Sequence, residues 1–232
     1  MTEIADQHKH MLKAYFDGQG FERWRAIYGD AQVSRIRRTI RDGHARTVAT
    51  AQGWLAPLLA GRRAPHVLDA GCGTGLLSVA LARAGARVTA VDFAPQMAQA
   101  TRQAADAAGV GARVRVITGD LEQADGQFDA VVCLDVLIHY AEADFARIAG
   151  QLAQRARGPL LLTYAPSSPL LAAMHWLGGR FPIAHRRTTI QMLRQRFVHS
   201  TLGECGMRVR RNHRVSQGFY HVALLEAQRH ET

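Results

Sequence analysis

The chain has 232 residues, of which 47% are hydrophobic and 21% are charged, and this is the composition of a globular protein with one large domain. No apolar run reaches about 18 residues, so the sequence predicts no segment that crosses a membrane. The three cysteines, Cys72, Cys133 and Cys205, are odd in number and far apart, which excludes a disulfide framework and a zinc site. The opening residues, MTEIADQHKH, contain no apolar signal region, and we expect a cytoplasmic protein.

The positive charge of the chain is unevenly distributed. The formal net charge is +10, made up of +5 in residues 1–65, −4 in residues 66–150 and +9 in residues 151–232. A basic surface is typical of proteins that bind nucleic acid or anionic membranes. An acidic centre between two basic flanks indicates instead two ligands of opposite charge.

The first part of the chain is predicted to be helical. Apolar residues at helical spacing predict one helix over residues 4–16, which the segment DGQG ends, and a second helix over residues 31–60. His44 lies on the apolar face of the second helix, four residues after Ile40. We therefore expect residues 1–60 to form an N-terminal helical cap.

From residue 66 onward, short apolar strands alternate with helices. The predicted strands cover residues 66–70, 87–92, 113–120, 128–135 and 159–166. This alternation predicts a doubly wound parallel sheet of the α/β, Rossmann-like class. After a predicted helix at 188–204, strands at 207–216 and 219–228 form an antiparallel hairpin, which is the arrangement of class I methyltransferases. The predicted core covers residues 61–232, and residues 167–187 are predicted to be an insertion that covers the substrate.

A glycine loop follows the first predicted strand, in the segment VLDAGCGTG at residues 67–75. Gly71 and Gly73 allow a tight turn and a close approach of the backbone to a ligand. Asp69 precedes them and would repel the pyrophosphate of a nicotinamide dinucleotide, whose loops usually read Gly-x-Gly-x-x-Gly. S-adenosylmethionine carries a sulfonium and an ammonium group and no phosphate, so the loop favours S-adenosylmethionine over a nicotinamide cofactor.

Other residues near the ends of the strands complete the predicted cofactor site. Asp92 ends the second strand, where an acid accepts hydrogen bonds from both ribose hydroxyls. Asp120 ends the third strand and is placed to bind the adenine amino group. The remaining predicted cofactor contacts are Phe93, Met97, Leu121 and Asp135. No protein-bound metal is expected.

Several segments together carry a family resemblance over nearly the whole chain. They are FERWRAIYGD, IRDGHARTV, DAGCGTG, LDVLIHY and GFYHVALLEAQR. In combination they resemble the magnesium-protoporphyrin IX O-methyltransferases of bacteriochlorophyll and chlorophyll synthesis, and residues 167–187 match least. The resemblance implies methyl transfer from S-adenosylmethionine to the ring-C propionate of magnesium protoporphyrin. It also implies a protein partner, the large porphyrin-binding subunit of magnesium chelatase. The positive net charge adds peripheral contact with a membrane surface as a further expectation.

The implied substrate agrees with the charge pattern. A magnesium porphyrin with two propionates is a flat, apolar dianion, which suits basic flanks around an acidic cofactor site. A bidentate arginine binds a carboxylate better than a lysine does. The candidates for the second propionate are Arg37, Arg38, Arg41 and Arg46, and the sequence does not choose among them. His44 and Tyr220 are further predicted substrate contacts.

The resemblance makes Tyr28 and His139 the predicted catalytic residues. Their hydroxyl and imidazole groups can hold one carboxylate by hydrogen bonds and leave one of its oxygens to attack the methyl group. His139 could alternatively bind the magnesium of the porphyrin as an axial ligand. Magnesium prefers oxygen ligands, but magnesium chelated in a porphyrin readily accepts a nitrogen ligand.

Two other classes of function remain open at this stage. The net charge fits a nucleic-acid methyltransferase, but such enzymes tend to place an aromatic residue after Asn/Asp-Pro-Pro to stack a flipped base, where this chain has LDVLIHY. No nucleic-acid partner is therefore expected. A non-catalytic tetrapyrrole carrier is disfavoured by the intact glycine loop and by Asp92.

Overall fold

The computed structural model describes residues 2–28, 32–167 and 190–229, without the side chains of residues 2–6, 8, 19, 28 and 122. Its helices are α1 (Thr2–Phe16), α2 (Gln19–Tyr28), α3 (Arg35–Gly61), α4 (Leu76–Arg83), α5 (Pro95–Ala107), α6 (Glu142–Arg155) and α7 (Gln195–Glu204). Its strands are β1 (His66–Ala70), β2 (Arg87–Asp92), β3 (Val114–Thr118), β4 (Ala130–Cys133), β5 (Leu160–Pro166), β6 (Met192–Leu193), β7 (Met207–Gln217) and β8 (Tyr220–Arg229). None of the described helices is long and apolar enough to span a membrane.

The strands of the described residues form one sheet in the order β3-β2-β1-β4-β5-β8-β7, with β6 paired to β5. Strands β1 to β5 are parallel, whereas β8 runs antiparallel to β5 and β7 antiparallel to β8. Helices cover both faces of the parallel part, and every residue of β5 is therefore buried. The predicted class I methyltransferase fold with a terminal hairpin is confirmed.

Each face of the sheet has its own apolar core. On one face, Phe145 and Leu152 of α6 and Val198 of α7 pack against strand residues such as Tyr164. On the other face, Leu55 of α3 and residues of α4 pack against β1, β4 and the middle of β5. Helix α3 therefore belongs to the same packed body as the sheet.

A glycine allows α3 to lie close to the terminal hairpin. A Cβ atom on Gly43 would come within 2.3 Å of Cδ1 of the Tyr220 ring. The hydroxyl oxygen of Tyr220 lies 3.0 Å from Thr47 Oγ1, one turn further along α3. Gly43 thus permits a close approach between helix and hairpin.

The structure differs from the predicted elements in several places. The predicted helix at 188–204 begins too early, because Met192 and Leu193 form strand β6 on the end of β5 and α7 starts only at Gln195. The fourth strand is limited to Ala130–Cys133, and α2 was not predicted as a separate helix. Apart from Ser167, the predicted insertion at 167–187 lies outside the described residues.

Candidate active site

A cavity of about 920 Å³ opens beyond the carboxyl ends of the parallel strands. Its walls come from the glycine loop, the end of β2, residues 134–140 after β4, helices α1 and α3, and the tip of the terminal hairpin. Of the predicted site residues, the lining contains Asp69, Gly71, Gly73, Asp92, Phe93, Met97, Asp120, Leu121, Asp135, His139, His44, Tyr220 and Arg37. The structure therefore brings the predicted cofactor contacts to one space with His44, Tyr220 and Arg37. The other three candidate arginines, Arg38, Arg41 and Arg46, are not among the described lining residues.

Two glycines shape the loop after β1. Gly71 has a φ angle of 83°, and a Cβ atom there would come within 2.1 Å of Val136 Cγ2. Gly73 has a φ angle of 54°, which favours glycine over other residues. The turn is held by Gly71 N, which donates to Val91 O at 2.7 Å. These contacts keep the loop backbone at the edge of the cavity.

The Asp92 carboxylate joins the glycine loop to the start of α5. Its Oδ2 accepts a hydrogen bond from Gly73 N at 2.9 Å, and its Oδ1 accepts one from Ala94 N at 2.9 Å. Burial raises the pKa of Asp92 to about 6, and the two backbone hydrogen bonds oppose that shift. Each carboxylate oxygen has two acceptor positions, so acceptor capacity remains for two hydroxyl groups of a ligand.

Asp69 is a second buried acid in the same crevice. Its Oδ2 accepts a hydrogen bond from Ser78 Oγ at 2.6 Å. Burial raises the pKa of Asp69 to about 6, the Ser78 hydrogen bond opposes this, and the charge of Asp92 adds to it. Two neighbouring carboxylates repel each other when both are ionised. A cationic ligand relieves this repulsion and is therefore favoured in the crevice.

The Asp135 side chain is surrounded by donors from three separate elements. Its Oδ2 lies 2.8 Å from His44 Nδ1 and accepts a hydrogen bond from the Tyr220 hydroxyl at 2.7 Å, while Oδ1 accepts one from Thr163 Oγ1 at 3.2 Å. Burial by itself would raise the pKa of Asp135, but the hydrogen bond and charge of His44, with Tyr220 and Thr163, lower it. Asp135, which was predicted to contact the cofactor, is therefore hydrogen-bonded to His44 and Tyr220, which were predicted to contact the substrate.

Helix α1 forms a wall of the cavity that sequence reasoning did not assign to particular residues. The Phe16 ring packs edge-on against His139, with 5.7 Å between centroids, and against Phe93 at 6.1 Å. Lys9 Nζ lies 2.8 Å from Asp120 Oδ2. No local sequence pattern marks Phe16 or Lys9 as site residues. Their role depends on contacts with Phe93, His139 and Asp120, which lie far away in the sequence.

The two predicted catalytic residues come from different elements. His139 ends a 3-10 turn at Leu137–His139 and is buried at the cavity. Tyr28 is the last residue of α2, and its side chain lies outside the described part of the chain. Arg41 is absent from the cavity lining and donates hydrogen bonds to the carbonyl oxygens of Ala26, at 2.9 Å, and of Ile27. Arg41 therefore holds the end of α2 that carries Tyr28.

Two family models match this chain. The model described as magnesium-protoporphyrin IX methyltransferase C-terminus matches residues 133–229, which include the loop after β4 and the terminal hairpin. A general methyltransferase domain model matches residues 67–157, which include the glycine loop and Asp92. The two matches together cover the elements that form most of the cavity.

Similar proteins extend the match to almost the full length. The chain is 37% identical to magnesium-protoporphyrin O-methyltransferase of Synechocystis sp., over 99% of this chain and 100% of that protein. It is 35% identical to magnesium-protoporphyrin O-methyltransferase of Rhodobacter capsulatus, over 97% and 96% of the two chains. The crystal structure of the Synechocystis enzyme with bound SAH matches with a TM-score of 0.87 at 37% identity, over 96% of this chain and 100% of that chain. Because sequence and fold agree over nearly every described element, the chain belongs to the magnesium-protoporphyrin IX methyltransferase family.

Proposed function

We propose that this chain transfers the methyl group of S-adenosylmethionine to the ring-C propionate carboxylate of magnesium protoporphyrin IX and forms the monomethyl ester. The observation that carries the proposal is one cavity in which a crevice with two buried acids meets an apolar wall made by α1 and α3. A solved structure of the Synechocystis enzyme contains bound SAM, and it matches this chain with a TM-score of 0.82 at 34% identity.

The cofactor occupies the acidic crevice in this proposal. Asp92 accepts hydrogen bonds from the ribose hydroxyls, and Phe93 and Met97 pack against the adenine. The positive charges of the cofactor lie near Asp69, whose ionised form they stabilise. Asp120 and Leu121 lie at the adenine end, and the glycine loop follows the cofactor backbone. The placement of all these residues in one cavity supports these roles.

The reaction requires little acid–base chemistry from the protein. A propionate has a pKa close to that of glutamate, about 4.3, and is ionised at neutral pH. One carboxylate oxygen attacks the methyl carbon as the carbon–sulfur bond breaks, and the thioether leaves as a neutral group. Because opposite charges disappear in the transition state, a site without water favours the reaction. Holding the two reactants in line supplies about 7–11 kcal/mol in favourable cases.

His139 and Tyr28 hold the reacting carboxylate in this proposal. The turn that ends at His139 follows β4 directly, and its ring packs against Phe16 of the covering helix. Arg41 fixes the end of α2, so that the backbone of Tyr28 has a defined position. An imidazole and a hydroxyl that donate to the carboxylate orient one oxygen toward the methyl group. Helices α1 to α3 then act as the cap that excludes water.

Two partners are also proposed. The rim of the cavity carries the exposed apolar side chains of Ile36 and Phe219 next to Arg37, a combination that suits contact with an anionic membrane surface. The large subunit of magnesium chelatase is the proposed protein partner, because it would deliver a poorly soluble porphyrin. Co-sedimentation with anionic vesicles, with Phe219→Ser as the variant, tests the membrane contact.

One assay separates the candidate functions. Methyl-labelled S-adenosylmethionine is incubated separately with magnesium protoporphyrin and with RNA. Label on magnesium protoporphyrin, released by mild ester hydrolysis, supports the proposal. Label on RNA would establish a nucleic-acid methyltransferase. Binding of the porphyrin without any transfer would establish a carrier.

A further inference from the structure

The histidines that line the cavity differ in what the structure places against their rings. His44 Nδ1 lies 2.8 Å from Asp135 Oδ2, and the two side chains are only 12% and 14% exposed. His221 Nδ1 lies 2.7 Å from the hydroxyl oxygen of Ser216, and His139 packs against the Phe16 ring. The imidazole of His44 is thus held by a carboxylate that the interior of the protein shields.

A carboxylate at one ring nitrogen has a known effect on the other. A histidine that binds a metal usually donates its second ring N–H to a carboxylate or carbonyl, which fixes the tautomer and raises the basicity of the ligating nitrogen. Since the Asp135 carboxylate can only accept, a neutral His44 carries its proton on Nδ1. In this tautomer the ring lone pair that can bind a metal is on Nε2.

Asp135 is itself held in place from several sides. The Tyr220 hydroxyl donates to Oδ2 at 2.7 Å, and Thr163 Oγ1 contacts Oδ1 at 3.2 Å. The Asp135 backbone N–H also donates to Thr163 Oγ1 at 2.6 Å, and Asp135 has the left-handed φ angle of 58°. A non-glycine residue with such a backbone conformation persists where its surroundings fix it and is frequent at functional sites. The orientation of His44 therefore follows from a rigid buried group.

The position of His44 on α3 suits a flat apolar ligand. Ile36, Ile40, His44 and Val48 follow one another at intervals of four residues, and all four line the cavity. Residues four apart lie on one face of a helix, so they form a continuous apolar stripe with one imidazole in its middle. A macrocycle lying against this stripe places its centre beside the imidazole.

We propose that His44, through Nε2, is the axial ligand to the magnesium of the bound porphyrin, and that Asp135 is its positioning residue. The inference rests on the proposed function, because it takes magnesium porphyrin as the substrate. The four ring nitrogens of a porphyrin leave an axial position on the metal for a further ligand. His44 then distinguishes metal-containing from metal-free porphyrin, whereas His139 acts on the propionate.

Absorption and magnetic circular dichroism of bound porphyrin test the proposal. With wild-type protein, magnesium protoporphyrin should show the spectrum of a five-coordinate, nitrogen-ligated metal. His44→Ala should lose that spectrum, and added imidazole should restore it, whereas His221→Ala should keep it as the matched histidine control. Asp135→Asn should weaken binding of magnesium protoporphyrin about ten- to hundredfold, the usual effect of losing a partner of a metal ligand. Binding of metal-free protoporphyrin should not change in His44→Ala.

The outcomes separate this inference from the proposed function. A wild-type spectrum in His44→Ala, or a wild-type spectrum without a nitrogen ligand, would overturn the axial role even if methyl transfer is normal. Absence of methyl transfer to magnesium protoporphyrin by the wild-type protein would overturn the proposed function whatever the spectra show. Far-UV circular dichroism and the urea-unfolding transition check that each variant is folded. If His44→Ala does not fold, His44→Gln provides the same spectral comparison.

Discussion

Lys9 Nζ lies 2.8 Å from Asp120 Oδ2, and this ion pair joins the first helix to the segment that follows β3. The same helix places Phe16 between His139 and Phe93, so α1 contacts both a residue proposed to bind the acceptor and one proposed to bind the cofactor. A surface ion pair contributes only about 0–1 kcal/mol, so the ring contacts are the stronger attachment. Helix α1 is thus well placed to exclude water during methyl transfer.

Phe16→Ala should accelerate the release of S-adenosylmethionine. Each aromatic edge contact contributes about 0.5–1.5 kcal/mol beyond the area it buries, so the dissociation rate should rise about two- to tenfold or more. Stopped-flow fluorescence with a competing cofactor measures the rate. Lys13→Ala, an exposed change on the same helix, is the control and should leave the rate unaltered. Equal rates for Phe16→Ala and wild type would show that α1 does not retain the cofactor.

Asp92→Ala should weaken binding of S-adenosylmethionine by about 1.5–3 kcal/mol, the range for hydrogen bonds to a charged group. Since Asp92 also accepts from Gly73 N and Ala94 N, the more conservative Asp92→Asn tests the charge with less change in shape. Titration calorimetry gives both affinities. Asp125→Ala, at an exposed position, is the control. Wild-type affinity in a folded Asp92 variant would remove this residue from the cofactor site.

The affinity for S-adenosylmethionine should fall as the pH decreases through about 6. Burial raises the pKa of both Asp69 and Asp92 to about 6 in the ligand-free protein, so both carboxyl groups take up protons in this range. Protonated carboxyl groups attract a sulfonium and an ammonium less and accept fewer hydrogen bonds. Calorimetry between about pH 5 and 8 measures how steeply the affinity for S-adenosylmethionine changes with pH. This slope should be smaller in Asp92→Asn. A slope unaffected by Asp92→Asn would assign the pH dependence to other groups.

The raised pKa values of Asp69 and Asp92 also affect the free energy of unfolding, which should change with pH in the opposite direction to the cofactor affinity. Because the native pKa values of Asp69 and Asp92 lie above the ordinary value of 3.8, the native state holds more protons than the unfolded state between about pH 4 and 6. The contribution of these groups to the free energy of unfolding therefore decreases as the pH rises through that range. Urea unfolding of wild type and Asp92→Asn without cofactor should show the variant gaining relative stability toward pH 6. A constant difference between the two would contradict the shift.

His139→Ala should reduce turnover about ten- to thousandfold, since loss of one positioned donor typically costs a few kcal/mol. The affinity for S-adenosylmethionine should remain nearly unchanged, because His139 is proposed to act on the acceptor. Steady-state kinetics and calorimetry measure the two quantities, with His213→Ala on the exposed part of β7 as the control. A change in the absorption of bound magnesium porphyrin would assign His139 to the metal instead. Wild-type turnover would exclude both roles.

The basic flanks should select for porphyrins with free propionates. A dimethyl ester of magnesium protoporphyrin should bind more weakly than the diacid, and the preference should shrink as the salt concentration rises, because salt screens the interaction. Fluorescence titration at low and high salt measures the four affinities. Equal binding of diacid and diester at low salt would show that the positive charge serves another purpose, such as contact with a membrane.

Much of the fold could be predicted because its signals are local. Parallel strands covered on both faces are short apolar runs, and their alternation with helices from residue 66 identifies the sheet. The position of the two acids in the cavity was predictable for the same reason. Asp69 and Asp92 stand at or near the carboxyl ends of β1 and β2, and parallel strands bring those ends to one edge. The predicted sequence positions therefore already implied a shared crevice.

Local signals failed where a distant partner decides the conformation. Met192 and Leu193 read as the start of a helix, but their pairing with Ala165 and Pro166 makes them a strand. Arg41 belonged to a group of equivalent arginines in the sequence, and only the approach of α2 assigned it to the carbonyl groups of that helix. In both cases a tertiary contact that no local sequence pattern encodes decides where the residue lies.

The sequence alone identified the residue types of the site, because glycines, acids and the family segments stand in recognisable order along the chain. It could not show that His44 and Asp135, 91 residues apart, share a hydrogen bond, or that the Tyr220 hydroxyl, 85 residues beyond Asp135, completes the group. These contacts depend on how closely α3 approaches the terminal hairpin, which Gly43 permits. No periodicity encodes such a contact, since it depends on side-chain packing between elements that meet only in the folded chain.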